Sequence, residues 1–404
     1  MSTSKLLGCA GACAAFALAV ASANAQPFTL TPLEQLGKAL FFDSNLSTPP
    51  GEACAVCHGP AVGFTGPNEF INLHGSVYQG AVPNRFGNRK PPAAAYAGES
   101  PVLYYDEDEE IWEGGMFWDG RATGWVLGDP LAEQAMGPFL NPLEQDNPGA
   151  KQVCLKVERS DYAALFRQVW GPKSLDPVRD VAGTYERIAR SIAAYERSAE
   201  VNPFTSKYDY YLKGQVNISA QEAWGLELFE GKAGCAACHI SEPEPNGAPP
   251  MFTDYTYDNL GVPKNPENPF YYISEEWNPA GTNFVDYGLG GFLKKAGFPE
   301  DVYLPEIGRQ KVPTLRNVDK RPYPEFVKAY GHNGYFKSLE EITHFYNTRD
   351  VPGAGWNGLP WPPPEVPETV NHEELGNLGL TPDEEAAVIA FMKTLNDGYM
   401  PPAK

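Results

Sequence analysis

The chain has 404 residues, of which 42% are hydrophobic and 20% charged, a composition that excludes a disordered acidic tail and a coiled coil. Its 40 glycines and 39 prolines are close to a fifth of the sequence, so much of the chain must lie in loops. The formal charge of −20 argues against nucleic acid or an anionic membrane surface as a partner, because both repel an acidic protein.

The first 25 residues are typical of a secretory signal peptide. Lys5 supplies a short positive region, Leu6 to Val20 is apolar and small, and the segment 23–25 matches an A-x-A cleavage site. The apolar stretch is too short to span a membrane, and the remaining sequence has no apolar run of about 18 residues. We therefore predict a periplasmic protein, cleaved near Ala25, without a membrane span.

Two copies of the C-x-x-C-H pattern lie far apart in the remaining chain. They consist of Cys54, Cys57 and His58, and of Cys235, Cys238 and His239. This is the attachment motif of c-type haem, in which two thiols bond the haem vinyl groups and the adjacent histidine ligates the iron. The pairs are too distant for a zinc ribbon, and neither has the βαβ setting of a thioredoxin-like site. The sequence predicts two covalently bound haem c groups.

A repeated helix precedes each motif. Thr31 and Ser219 are each followed three residues later by glutamate, which is a capping box, and both segments end in Gly-x-x-Leu-Phe. We predict these two helices and two more, over 177–198 and 381–395. The aromatic-rich segment 252–305 is predicted to be a long ordered loop region, which either packs on the second half or receives a partner.

These features predict a mostly α-helical fold of two tandem cytochrome c-like haem domains, with long loops and few short strands. The N-terminal domain is assigned to 26–205 and the C-terminal domain to 206–404. The buried porphyrins would supply apolar core that a chain rich in glycine and proline otherwise lacks. Cys154 has no partner motif, and a buried inert thiol is its predicted state.

Further motifs resemble those of the bacterial dihaem cytochrome c peroxidase superfamily, in particular its MauG-like branch, which includes homologues associated with copper-acquisition genes. The resemblance covers nearly all of residues 30–398. It is carried, besides the haem motifs, by the segments 117–122 (Phe-Trp-Asp-Gly-Arg-Ala), 136–138 (Met-Gly-Pro), 141–144 (Asn-Pro-Leu-Glu), 311–317 (Lys-Val-Pro-Thr-Leu-Arg-Asn), 331–334 (Gly-His-Asn-Gly) and 338–341 (Ser-Leu-Glu-Glu).

The resemblance implies roles for single residues. The sixth ligand of the second haem lies seven residues after Leu339 in this superfamily, which here is Tyr346, where dihaem peroxidases that accept electrons from small cytochromes usually carry methionine. A phenol oxygen favours ferric and higher iron states, whereas a thioether favours ferrous iron. The alternative is that Tyr346 is an ordinary core tyrosine.

Around the first haem, the resemblance makes Glu144 the acid–base group for peroxide, with Gln134 and Pro138 lining the same pocket. It places Trp118 between the haems as an electron relay. The alternative for Glu144 is a surface acid. His74 is expected to be a loop residue rather than a resting iron ligand.

The same resemblance implies a calcium ion between the haems, but the sequence leaves open whether this protein binds one. Relatives hold it with an asparagine in the segment before the inter-haem tryptophan. One register puts Lys90 at that position, and a charged lysine cannot ligate calcium. An alternative register uses Asn88.

The function predicted from this resemblance is a haem enzyme that uses hydrogen peroxide to form high-valent iron and to oxidise a Trp or Tyr of a separate protein by long-range electron transfer. One alternative is an ordinary dihaem cytochrome c peroxidase that reduces peroxide with electrons from a small cytochrome or cupredoxin. The other is a dihaem electron carrier without enzyme activity.

Overall fold

The computed structural model describes residues 28–243 and 247–402, so the predicted signal peptide lies outside the described residues. Among them the chain is helical and loop-rich, with short two-stranded sheets, which confirms the predicted fold class. No helix in the described part of the chain is long and apolar enough to cross a membrane.

The elements of the first half run in the order α1 (Pro32–Phe41), α2 (Cys54–Cys57), α3 (Glu69–Leu73), β1 (Tyr104–Asp106), β2 (Ile111–Glu113), α4 (Pro130–Leu140), α5 (Ala150–Glu158), α6 (Ala163–Trp170) and α7 (Val181–Glu196). Those of the second half are α8 (Lys207–Leu212), α9 (Ala220–Glu230), β3 (Tyr257–Asp258), α10 (Gly288–Ala296), α11 (Glu300–Tyr303), β4 (Gln310–Lys311), α12 (Leu339–Thr348), β5 (Gly355–Trp356), β6 (Leu359–Pro360) and α13 (Pro382–Lys393). The strands pair antiparallel as β1–β2, β3–β4 and β5–β6.

The four predicted helices are confirmed as α1, α7, α9 and α13. Both predicted capping boxes are present: the side chains of Thr31 and Ser219 accept hydrogen bonds from the backbone of Glu34 and Glu222. Helix α7 begins later than predicted, at Val181, because the Asp180 side chain caps it by accepting from Gly183 N.

Each half contains the same helix crossing, with a glycine at the point of contact. Helix α1 packs on α7 where Gly37 meets the backbone of Ser191, and α9 packs on α13 where Gly225 meets the backbone of Ala387. A side chain larger than hydrogen would not fit at either point, because a Cβ atom there would overlap the facing carbonyl group. The repeated Gly-x-x-Leu-Phe pattern thus places equivalent helices at equivalent contacts.

Two large hydrophobic cores follow from these crossings, and a smaller core contains buried residues of both halves, among them Trp112 and Tyr257. The buried residues of the first core lie between Leu36 and Val201, and those of the second lie between Tyr208 and Leu395. The predicted domain boundary falls between the two sets. Cys154 is fully buried in the first core, and burial raises the pKa of its thiol to about 11.

The prediction for segment 252–305 was wrong in one respect. It is not only loop, because it contains β3, α10 and α11. Helix α10 was not predicted because its own first residues are rich in glycine, which has low helix propensity. Tyr257, Phe270 and Tyr271 of this segment are buried, so most of its aromatic surface packs inside the molecule, while Tyr272 is exposed.

Candidate active site

The first C-x-x-C-H motif forms a single helical turn, α2, that aims its histidine inward. His58 N donates to Cys54 O at 2.9 Å, and the ring Nδ1 lies 3.1 Å from the carbonyl oxygen of Phe64. Because a carbonyl only accepts, Nδ1 carries the proton and Nε2 keeps the lone pair that a metal needs. Burial lowers the pKa of His58, which favours the same neutral form.

The second motif repeats this arrangement. His239 N donates to Cys235 O at 2.9 Å, and the ring Nδ1 lies 2.8 Å from the Phe252 carbonyl oxygen. Burial lowers the pKa of His239 to about 4. Phe64 and Phe252 both adopt a left-handed backbone conformation, with φ of 57° and 55°, which turns each carbonyl towards its histidine.

The likeness of the two sites extends further than the sequence analysis recognised. A threonine follows each phenylalanine: Thr65 Oγ1 donates to Pro91 O at 2.9 Å, and Thr253 Oγ1 donates to Val312 O at 2.7 Å. Pro92, which follows Pro91, has its backbone within hydrogen-bonding reach of His58. Pro313, which follows Val312, lies in the same way within reach of His239. The signal was present as a Phe-Thr pair after each haem motif.

A large, mostly apolar cavity contains the second motif. Its wall includes Cys235, Cys238, His239 and Tyr346. The thiols for covalent attachment, a histidine with a free Nε2 and an apolar wall are the donor set and surroundings that haem c requires. The residues therefore fit the group at this site.

Tyr346 reaches the cavity from helix α12. Ser338 caps this helix by accepting from Glu341 N, and Leu339, Ile342, Thr343 and Tyr346 line the cavity from one face of it. Burial raises the pKa of the Tyr346 phenol, and no protein hydrogen bond holds its Oη among the described residues. Tyr346 and His239 thus share one cavity.

Glu144 lies beside the first motif. It follows the end of helix α4, where its N–H donates to Asn141 O at 3.0 Å and its carbonyl accepts from Ala81 N at 2.7 Å. Burial raises the pKa of Glu144, opposed by the charge of Arg121 and by a hydrogen bond with Asn141. The Glu144 carboxylate is close enough to the thiols of Cys54 and Cys57 to raise their pKa values.

Gln134 and Pro138 lie one turn apart on helix α4, so they share a face of it. Both are partly buried, and the intervening Ala135 and Met136 pack against the core that also contacts Cys54. Pro138 O accepts from Gln145 N at 3.1 Å, which ties the helix end to the residue after Glu144. His74 is exposed at the end of α3, with its ring 4.7 Å from that of Phe70.

Glu52 is a further acidic residue of the first site that the motifs did not indicate. Its Oε1 accepts from Cys57 Sγ at 3.4 Å, and burial together with the charge of Glu144 raises its pKa to about 7. Two carboxyl groups of raised proton affinity thus lie at the first motif. An acid two residues before Cys54 was the available signal.

Trp118 is held by both halves of the chain. Its indole Nε1 donates to Lys90 O at 2.8 Å, and its own carbonyl accepts from Lys311 N at 2.8 Å. The side chain is 8% exposed, its ring lies 6.4 Å from that of His332, and it lines the same cavity as His239.

Charged neighbours fix the backbone on either side of this contact. Arg89 bonds Asp286 through two nitrogens at 2.6 Å and bonds Asp119 at 2.7 Å. Arg89 holds the pKa of both carboxyl groups below their usual range. Trp118 therefore lies between Lys90, which its indole contacts, and Asp119, which is paired with Arg89. Arg89 is in turn paired with Asp286 of the second half, so this pairing joins the two halves of the chain at Trp118.

Calcium fits this structure poorly. Lys90, not an asparagine, points its Nζ at Thr65 Oγ1 (3.1 Å) and Pro91 O (3.2 Å), so an ammonium takes the oxygen ligands available there. Asn88 contributes its backbone oxygen to Asn268 Nδ2 at 2.9 Å. Within 28–243 and 247–402, no group of three or more His, Cys, Asp or Glu side chains forms a metal site.

Comparison with known proteins identifies the family. The family model for di-haem cytochrome c peroxidase matches residues 31–217. The chain is 34% identical to the methylamine utilization protein MauG of Paracoccus denitrificans over 90% of this chain and 88% of that protein. It is 29% identical to the cytochrome c551 peroxidase of Nitrosomonas europaea, over 90% and 79% of the two chains.

A solved structure supports the same family as these two relatives. The diheme peroxidase BthA of Burkholderia thailandensis superposes with a TM-score of 0.74 at 29% identity, covering 92% of this chain and 87% of that one. With its two haem motifs, its helical fold and these relatives, the chain belongs to the di-haem cytochrome c peroxidase family, which includes MauG, and is a haem oxidoreductase.

Proposed function

We propose that this protein is a MauG-like enzyme that uses hydrogen peroxide to oxidise a tryptophan or tyrosine side chain of a separate protein in the periplasm. The observation that carries the proposal is Tyr346 on the wall of the cavity that contains His239. As a ligand, this phenol would make the second haem a poor acceptor of electrons from a small cytochrome, because hard anionic oxygen favours the ferric state. The proposed export rests on the signal-peptide pattern of residues 1–25.

The first haem site is assigned the reaction with peroxide. His58 would hold its iron through Nε2, and the two haems supply the redox chemistry of the reaction when bound. Glu144 accepts a proton from one peroxide oxygen and delivers it to the other, a role suited to a carboxyl whose raised pKa lies nearer to neutrality. Gln134 orients the peroxide through its side-chain amide, and Pro138 excludes water from the face of helix α4.

Glu52 extends the proton chemistry of this site. Its pKa of about 7 means that it is partly protonated at neutral pH, so it can resupply Glu144 with a proton. The charge of Glu144 is one cause of that raised pKa, as expected for two carboxyl groups that lie near each other. Arg121 lies close enough to Glu144 to lower its pKa and limits how far burial raises it.

Trp118 is assigned the relay between the two sites. Its indole N–H is bonded to a residue of the first half and its carbonyl to a residue of the second. The ring is buried and lies on the cavity wall, so an electron can pass through it without exposure of the site to water. The protein substrate then reacts at the surface and never enters a haem pocket.

The test compares two tyrosines of the same cavity. Tyr346→Met is the variant, and Tyr330→Phe is the control, because Tyr330 also lines the cavity but its Oη is occupied by Val318 O at 3.2 Å. Stoichiometric peroxide is added to the fully oxidised proteins, and their visible absorption is followed without any reductant. We expect a change lasting minutes in the parent and in the control, and its loss or shortening by at least tenfold in Tyr346→Met.

Other outcomes select the alternatives. The name of the Nitrosomonas europaea relative favours an ordinary cytochrome c peroxidase as second candidate. Reaction with peroxide only after one haem is reduced, with Tyr346→Met behaving like the parent, would establish that candidate. No reaction with peroxide in either redox state would leave only an electron carrier.

A further inference from the structure

Two buried lysines lie at the junction of the two halves without a charged partner. Lys90 and Lys328 are 8% and 5% exposed, and both line the cavity that contains His239 and Tyr346. Their ammonium groups contact only neutral oxygens: Lys90 those of Thr65 and Pro91, and Lys328 three backbone carbonyls. In the described part of the chain, neither lysine forms an ion pair, although the charge of Asp319 acts on Lys328 and opposes the effect of burial on its pKa.

The surroundings of Lys328 join the two halves. Its Nζ donates to Val62 O at 3.0 Å, to Asn317 O at 2.6 Å and to Lys320 O at 3.3 Å. Val62 belongs to the first half, near His58, while the other two belong to the second half. A cage of carbonyl oxygens that closes on a lysine ammonium is a site for one fixed positive charge.

These two charges need an anion. Burial lowers the pKa of both lysines, that of Lys90 to about 8, and the charge of Lys90 lowers that of Lys328 further. Burying one unpaired ammonium is costly, and burying two that repel each other is more so, unless a negative group lies between them. The carboxylates on the wall do not supply it among the described residues, since Asp286 is taken by Arg89 and no ion pair joins Asp258, Glu365 or Glu374 to either lysine.

A second observation points to the same missing group. Two further buried side chains on this wall have polar atoms without any hydrogen-bond partner within the described ranges: His332 at Nε2, and Gln310 at both Oε1 and Nε2. His332 and Gln310 are 7% and 8% exposed. Since Nδ1 or Nε2 of a histidine and Nε2 of a glutamine can both donate, the wall offers donors as well as cations to an acceptor inside the cavity.

We propose that Lys90 and Lys328 are the permanent cations between the two haem sites, and that they balance the charge of the propionate carboxylates of the bound haem in place of a divalent metal ion. Lys90 has one N–H left to donate to a propionate, whereas Lys328, whose three N–H groups are taken by carbonyl oxygens, acts through its charge. Each haem carries two such carboxylates, so the second haem alone can supply one to each of these two lysines. His332 and Gln310 donate additional hydrogen bonds to the same carboxylates. The protein therefore needs no calcium to connect its two halves.

The inference depends on haem binding and not on which side chain the enzyme oxidises, so it is tested without a substrate. The haem-loaded parent protein is analysed for bound calcium and then treated with EGTA. We expect less than one calcium per two chains, with no change in the visible spectrum or in either midpoint potential. A tightly bound stoichiometric calcium whose removal alters the spectrum or the potentials would overturn the proposal.

Charge-removing variants provide the second test. In Lys90→Met and Lys328→Met, the loss of a positive charge near the propionates favours the ferric state, so the midpoint potential of at least the second haem falls. Lys90→Arg keeps the parent potential. Lys151→Met, at an exposed position on α5, is the matched control and leaves both potentials unchanged.

Potentials in Lys90→Met and Lys328→Met equal to those of Lys151→Met would also overturn the proposal. Resonance Raman spectra, whose propionate bending bands report hydrogen bonding, should shift in Lys90→Met and not in the control. Should a variant fail to fold, the calcium and chelator measurements on the parent protein still decide.

Discussion

The glycine at the crossing of α9 and α13 should be irreplaceable, although alanine is the better helix former. In Gly225→Ala the new Cβ atom would overlap the Ala387 carbonyl and lie 2.9 Å from Phe391 Cβ. Ordinary contacts between carbon atoms are about 3.5–4.0 Å, so the two helices would have to move apart by roughly 1 Å. That movement loosens the packing of Leu228, Phe229 and Phe391, which are buried in the second core.

The size of the effect follows from two opposing contributions. Alanine gains about 1 kcal/mol over glycine in helix propensity. Overpacking a buried contact costs about 1–3 kcal/mol, and the upper part of that range, about 2–3 kcal/mol, applies here because the obstacle is backbone, which cannot turn aside. We expect a net destabilisation of about 1–2 kcal/mol, which corresponds to a fall in melting temperature of about 2–8 °C for a unit of this size.

Thermal unfolding of the haem-loaded protein, followed by circular dichroism, measures this difference. The matched control is Ala223→Gly, at an exposed position on the same helix, which should lose only the propensity difference of about 1 kcal/mol. Gly37→Ala should act in the first half as Gly225→Ala does in the second, since its Cβ would lie 2.8 Å from Tyr195 Cβ. A rise in melting temperature for Gly225→Ala would refute the close crossing.

Three further predictions concern charged groups. Arg121→Gln removes the charge that lowers the pKa of Glu144. The limb of the pH–rate profile for peroxide that requires ionised Glu144 should therefore move to higher pH. An unchanged limb would mean that the charge of Arg121 does not act on Glu144. Arg316 forms a buried ion pair with Asp209, and their side chains are 1% and 0% exposed. Arg316→Met leaves the Asp209 carboxylate without its partner, so the free energy of unfolding from denaturant titrations should fall by about 3–5 kcal/mol. Burial raises the pKa of Glu196 to about 8, so the folded state holds a proton that the unfolded state loses above about pH 4.5. The parent should therefore lose stability between about pH 5 and 8, and Glu196→Gln should not; parallel curves of melting temperature against pH would contradict this.

The parts of the fold that the sequence predicted are those set by local chemistry. A capping box needs only residues three apart, so Thr31 and Ser219 mark the starts of α1 and α9 correctly. The haem motifs likewise need only five consecutive residues. By contrast, α10 was missed because glycines at its start give it little propensity of its own, and its packing against α11 and β4 supplies the stability.

The parts of the site that escaped prediction depend on contacts between distant segments. The carbonyls of Phe64 and Phe252 reach their histidines only because both residues adopt a positive φ, a conformation that phenylalanine does not favour on its own. Glu52 could be noticed beside Cys54, but its raised pKa arises from burial and from Glu144, 92 positions later in the chain. Neither effect can be read from a spacing rule.

The positions of two lysines support the proposed role of Trp118 as the connection between the two sites. Lys90 precedes Pro92 by two residues, and Lys311 precedes Pro313 by two residues, so the lysines occupy equivalent positions relative to His58 and His239. Trp118 bonds the backbone of both lysines at 2.8 Å. Two segments in contact with the two histidines therefore meet at Trp118, one at its indole and the other at its carbonyl, and we expect a change at Trp118 to uncouple the two sites without disturbing either histidine.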